Sequence, residues 1–340
     1  MMRGAVALAL CLAACGRLSF DGASDATSSP SDAALTRVQV ASGWTARVLV
    51  DLTGVVPYHP NDYVDDGGLE TLDNSPVSLA ALYAPFTSTF AVGAGRSIIE
   101  VAGNGTTAVH DYRPAVPDTT GPDEISELVF GAPPDTGPVL WLGASSMGLG
   151  DGLYRIATDW SIVQDSPTNN VNGVAYDPTG AFDSIGVPTI YFMDTNAVQR
   201  RTGAGTSTNL QASTTFEFLG MCATTLFTTD QPAGVPPTIL DRIFETTYVV
   251  NAIATSSFFA VAEMSGGADT HVIALRDSTT LASYANDGTS VDLASSLDAT
   301  WLWQAVSVPR APHPLAGSYV VLESNRTLDR DDLIVISPAP

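Results

Sequence analysis

The chain has no lysine. All fourteen of its basic residues are arginine, against thirty-six Asp and Glu, for a formal net charge of −22. A lysine-free chain cannot carry a Walker A phosphate loop, a Ser-x-x-Lys nucleophile, a kinase lysine or a pyridoxal Schiff base. It also lacks the basic clusters that neutralise a phosphate backbone, which excludes nucleic acid as a partner. Three cysteines in 340 residues are too few for a disulfide framework. Histidine is equally scarce: His59, His110, His271 and His313 sit in unrelated contexts, so Cys222, within Phe216-Glu-Phe-Leu-Gly-Met-Cys, has no evident base beside it and reads as a small buried hydrophobe. No stretch approaches the eighteen or so consecutive apolar residues of a membrane-spanning helix. What is present is a composition 45% hydrophobic and 15% charged, enough to bury a core and to exclude disorder over most of the length.

Met1-Met-Arg3 supplies a short positive start, and residues 5–14 form an apolar run too short to cross a bilayer. The run ends in Leu12-Ala-Ala-Cys-Gly16, small residues before a cysteine, as in a bacterial lipobox. The expected processing is removal of a signal peptide, 1–14, and acylation of Cys15 with palmitate-type chains. The product would be a lipoprotein held in a bacterial envelope, at the outer membrane, with the lipid bilayer as partner. An ordinary signal peptide containing two cysteines, or a buried apolar N-terminus, is the alternative; position, length and residue order favour the lipobox. Residues 15–36 then comprise the lipidated cysteine and a small, polar segment without apolar period, expected to be a flexible tether.

The remaining residues, 37–340, read as all-β. Apolar runs of four to seven residues, such as Val139-Leu-Trp-Leu-Gly, Ile190-Tyr-Phe-Met-Asp and Ser318-Tyr-Val-Val-Leu-Glu, are rich in β-branched and aromatic side chains and separated by Gly, Pro, Asn and Asp turns. No helical apolar stripe is sustained over a dozen residues. A unit of four short strands recurs every forty to fifty residues, clearest over 127–164 and 172–201 and weaker over 77–112, 214–253, 255–286 and 300–338. That spacing predicts a β-propeller, most simply of six blades, with a β-sandwich as the alternative. The last unit offers only three strands, near 301–306, 318–322 and 333–336, while Thr45-Ala-Arg-Val-Leu-Val-Asp-Leu is an orphan strand. Pairing the two would close the ring and remove both open edges.

Leu153-Tyr-Arg-Ile-Ala-Thr-Asp-Trp-Ser-Ile-Val, Asn172-Gly-Val-Ala-Tyr-Asp-Pro-Thr-Gly and Ile190-Tyr-Phe-Met-Asp-Thr resemble the gluconolactonase/regucalcin-like (NHL-type) six-bladed propellers. The resemblance covers about sixty residues and implies a fold more than an activity. In that family the asparagine of the Asn-Gly pair binds a divalent metal such as calcium in the central channel; carried over, it is Asn172. The family's next blade opens with a carboxylate that ligates metal and acts as general base. At the comparable place stands Leu219, before Gly220-Met-Cys, which can do neither. The nearest counterpart of the family's first metal-binding glutamate is Glu127. Glu127 and Leu219 are expected to line the channel.

Other constellations are weaker. Gly143-Ala-Ser-Ser-Met-Gly lacks nucleophile-elbow spacing. Asn61-Asp-Tyr-Val-Asp-Asp-Gly-Gly and Asp329-Arg-Asp-Asp332 hold oxygen ligands without EF-hand spacing and read as solvated turns. Trp141, Trp160, Trp301, Trp303 and Met147 read as blade core. The function these features predict is a non-catalytic, envelope-anchored binding or scaffold module for a protein or small-molecule ligand. The alternative is a metal-dependent hydrolase of the lactonase type.

Overall fold

Short β-branched runs punctuated by turn residues pair with their sequence neighbours, and the result is six four-stranded antiparallel sheets. The structure, a computed structural model, describes residues 35–55, 63–65, 68–70, 76–112, 125–144, 151–168, 170–194, 197–212, 216–222, 225–230, 238–243, 247–248, 250–257, 259–262, 271–285, 287–325 and 327–339. Among the described residues there is no helix. The lipobox, Cys15 and most of the tether lie outside the described residues.

Blade 1 is Pro76–Ala81, Phe90–Ala94, Ser97–Val101 and Thr107–Asp111; blade 2 is Ile125–Gly131, Val139–Ala144, Gly152–Ile156 and Ile162–Ser166. Blade 3 is Gly173–Asp177, Thr189–Met193, Ala197–Gly203 and Thr206–Ala212; blade 4 is Phe216–Cys222, Thr225–Asp230, Thr238–Ile243 and Val250–Ser256. Blade 5 is Phe259–Val261, His271–Arg276, Thr280–Ala285 and Ser290–Ser296, ten residues longer at its end than the repeat spacing suggests. Blade 6 is Leu302–Ser307, Tyr319–Asn325 and Arg330–Pro338, completed by Trp44–Asp51. A hairpin, Tyr63–Asp65 with Gly68–Glu70, lies between the closing strand and blade 1 in sequence. The first strand of each blade packs on the first strand of the next, and Leu302–Ser307 packs on Pro76–Ala81 to shut the ring. The chain is a six-bladed β-propeller.

Hydrophobic clusters fill the gaps between blades rather than one central core. Phe90, Val92 and Ile99 meet Leu322 and Val335 between blades 1 and 6, and Ile98 and Ile125 meet Leu140 and Leu142 between blades 1 and 2. Trp141 and Val129 meet Tyr176 and Phe192 between blades 2 and 3. Small residues permit this approach. A Cβ on Gly173 would stand 2.7 Å from the backbone nitrogen of Leu219, and one on Gly143 2.9 Å from the carbonyl oxygen of Val171. Trp141 and Trp303 are fully buried, as expected of blade core, whereas Trp160 sits at the rim of the interface between blades 1 and 2.

The orphan strand closes the ring in the expected place: Trp44 pairs with Pro338 and Asp51 with Asp332, antiparallel. The structure adds a second tie. Val38–Val40 pairs with the outer strand of blade 5, Val38 opposite Ser296, so one N-terminal segment covers the open edges of two blades. Arg37 precedes it and reaches across to Glu323 and Asp332 of blade 6. Asp332 therefore departs from the solvated turn that Asp329-Arg-Asp-Asp332 suggested: it is fully buried between Arg37 and Arg330, because the segment leading into Val38–Val40 brings a cation over it.

Candidate functional site

The axis is walled by the first strands of the blades, and the described residues leave little free space between them. A cavity of about 20 Å3 remains, bordered by Val77, Ser78, Glu127, Phe218, Ala260 and Gln304. A second, of about 10 Å3, lies further along, bordered by Ala80, Tyr83, Phe130 and Ser307. The larger has space for about one water molecule, far short of a substrate, for which about 300 Å3 is the lower end of pocket sizes.

Glu127 stands on the first strand of blade 2 and borders the axial cavity. Its Oε2 accepts the backbone N–H of Val174 at 2.9 Å, tying blade 2 to blade 3. Asn172 is half-buried one residue before Gly173, and its backbone N–H donates to the Met193 carbonyl at 3.2 Å. Leu219 does not line the channel. It is fully buried among Tyr191, Met193 and Phe182 between blades 3 and 4, and Phe218 is the residue of that strand at the cavity. The physical reason is strand alternation: successive side chains point to opposite faces, and the bare Gly173 opposite leaves room for the leucine. The three positions thus come from neighbouring strands, but as packing and backbone ties. The side chains of Glu217 and Cys222 lie outside the described residues.

A channel metal needs several oxygens converging on one point. Among the described residues no group of three His, Cys, Asp or Glu is placed to hold one. One Glu127 oxygen is engaged by a backbone donor and the other polar side chains at the cavity, Ser78, Ser126 and Gln304, are neutral, so the described residues do not gather the ligand set that the resemblance implies.

Three polar clusters escaped sequence reasoning, since strand pairing and blade contact, not a sequence motif, bring their members together. Ser88 Oγ donates to Glu100, whose other oxygen is 2.8 Å from His110 Nε2, and His110 stacks on Trp160 at 4.2 Å. The order is wrong for nucleophile activation, because the carboxylate and not the imidazole sits on the hydroxyl; it ties the rims of blades 1 and 2. Asp241, 3% exposed in blade 4, has its pKa pushed up to about 6 by burial and by the neighbouring Asp230. Arg201, 7% exposed, donates from Nε to Asp165 at 2.6 Å and bidentately to Asp135 at 2.9 and 3.1 Å, with its guanidinium 4.9 Å from the Trp141 ring centroid.

No protein-family model matches the chain, and no curated protein matches it in sequence. Solved structures do match. A regucalcin from Agrobacterium tumefaciens, described as a calcium-binding protein, is 17% identical over 79% of this chain and 94% of its own, with a TM-score of 0.51. The WD40 domain of Pan2 from Neurospora crassa is 10% identical over 87% and 96%, also with a TM-score of 0.51. A glucose dehydrogenase is 10% identical over 77% and 96%, TM-score 0.51. Proteins as different as these share the fold with this chain, so the likeness concerns the fold alone.

Proposed function

We propose that this chain is a non-catalytic binding or scaffold propeller, anchored to a bacterial envelope, at the outer membrane, through acylated Cys15. The observation that carries the non-catalytic part is the described axis: a cavity for about one water, with one Glu127 oxygen tied to the Val174 N–H and Phe218, which can neither ligate a cation nor take a proton, at the cavity from blade 4. A rigid ring presenting loops on both faces suits recognition, and a net charge of −22 favours cationic partners. The anchor rests on Leu12-Ala-Ala-Cys-Gly16 alone.

Two experiments test the two parts. Cys15→Ser should release the protein from membranes on fractionation; unchanged membrane association together with an uncleaved N-terminus refutes the anchor. A lactone-hydrolysis screen with calcium, zinc and manganese should show no turnover. Metal-dependent turnover that disappears in Glu127→Gln or Asn172→Ala would establish the lactonase-type hydrolase instead and refute the binding reading.

A further inference from the structure

On the face formed by the first loops of blades 2 and 3 lies a groove of about 460 Å3. Its walls are apolar: Pro133 and Pro134 on one side, Ile185, Val187 and Pro188 on the other, with Ile190 between. Val187 is 48% exposed there, although large aliphatic residues of this chain are otherwise mostly buried. The volume falls within the range of about 300–1,000 Å3 that accommodates small organic ligands.

Arg201 also borders the groove. Its Nε and Nη2 are fixed from behind by Asp165, which is fully buried. Trp141 lies against the guanidinium. The remaining edge, Nη1 and Nη2, carries the two oxygens of Asp135, whose side chain is 48% exposed. Asp135 is held on the loop that forms one wall, and the Arg201 hydrogen bonds keep its carboxyl below the usual carboxylate range. A buried guanidinium, locked on one edge and paired bidentately on the other to a half-exposed carboxylate at an apolar groove, is a carboxylate receptor occupied by the protein's own side chain. The two Asp135 bonds are those that an incoming carboxylate would make.

We propose that this groove binds a small monocarboxylate with an apolar body, the ligand carboxylate replacing Asp135 on Arg201 and the body covering Val187 and the proline wall. The exchange trades one bidentate pair for another, so the ligand carboxylate decides which molecules can displace Asp135 from Arg201, and the apolar contact supplies the net gain. The proposal goes beyond the binding-module reading and needs neither the anchor nor the axial channel; the hydrolase screen and the membrane fractionation leave it untouched.

The test is calorimetric titration of the whole protein with N-acetyl-leucine and with its uncharged amide. The acid should bind and the amide should not. Asp135→Ser, which removes the competing carboxylate while leaving Arg201 held by Asp165, should tighten acid binding by about 2–5-fold or more, since Asp135 is half-exposed and water competes for it in the free protein. Val187→Asn, at a half-exposed position, should weaken it about fivefold or more with an unchanged melting temperature. Equal binding of acid and amide, no binding of either to Asp135→Ser, or unchanged affinity in both variants overturns the proposal.

Discussion

Arg37 should account for much of the ring's resistance to opening. Its Nε donates to Glu323 Oε1 at 3.0 Å, its Nη2 reaches Asp332 Oδ2 at 2.7 Å, and its guanidinium lies 3.9 Å from the Trp301 ring centroid. Both carboxylates are fully buried, while the arginine side chain is 19% exposed. Substituting Arg37 by Ala leaves Asp332 with Arg330 at 3.1 Å, but leaves Glu323 with the Trp303 indole N–H at 3.3 Å and Arg330 only as a more distant charge. Stranding a buried charge costs about 3–5 kcal/mol; the partial exposure of Arg37 puts the expected loss near the lower figure. At about 2 °C per kcal/mol for a domain of this size, the melting temperature should fall by about 6 °C. The loss should depend on pH. Burial raises the pKa of Glu323 in the folded state and Arg37 opposes that rise. A carboxyl raised by folding contributes stability that is fully present below its unfolded pKa and lost as pH rises through its folded pKa. Removing Arg37 raises it further, so the deficit of the variant should be small near pH 4 and full at neutral pH. Circular-dichroism melts of the wild type, Arg37→Ala and Arg37→Ala/Glu323→Gln at both pH values measure this, and the double variant should recover most of the neutral-pH loss. A neutral-pH deficit under about 1 kcal/mol, or one that neither pH nor Glu323→Gln relieves, refutes the reasoning.

Asp241 should act in the same direction: its pKa rises from 3.8 to about 6, so its contribution to stability is present below pH 3.8 and lost as pH rises through about 6. That shift corresponds to about 3 kcal/mol. Denaturant titration should find Asp241→Asn more stable than wild type at neutral pH by up to that amount and equal to it near pH 4; equal stability at both removes the inference. Gly173→Ala should cost about 1–3 kcal/mol by overpacking, since its Cβ would meet the Leu219 backbone nitrogen at 2.7 Å, and a chemical melt with an unshifted midpoint would contradict that. Deleting residues 37–51 uncovers the edges of blades 5 and 6 together, so thermal unfolding should begin far below that of the intact chain, and a melting temperature preserved within a degree or two would refute the closure as a source of stability.

The class of fold was legible because a blade is a local object. Val139-Leu-Trp-Leu-Gly and Ile190-Tyr-Phe-Met-Asp carry strand propensity within five residues, their turns lie between them, and four such strands pair with sequence neighbours. The closing strand was legible for a related reason: one unit lacked a strand and one strand lacked a unit. By contrast, Val38-Gln-Val40 has only three residues and no partner within 250 positions, so its place on blade 5 follows from where the ring brings Ser290–Ser296.

Side-chain direction belonged to the tertiary structure. Leu219 was expected in the channel and lies between blades, since a shift of one position along a strand turns a residue to the other face and nothing in Leu219-Gly-Met-Cys records which face the ring presents inward. Glu127 could be chosen as a carboxylate near the axis, but its bond to the Val174 N–H depends on a neighbouring blade 47 residues away. The ion clusters are more remote still: Arg37 meets Glu323 across 286 residues and Arg201 meets Asp135 across 66. The sequence by itself determined the absence of lysine chemistry and the strand-and-turn alternation, and its repeat spacing pointed to six blades, all of which are composition or short-range pattern. Only the closed ring decided which of the described carboxylates are buried, which arginine covers them, and that a groove stands open at the rim between blades 2 and 3, because those depend on distances between blades that no local propensity encodes.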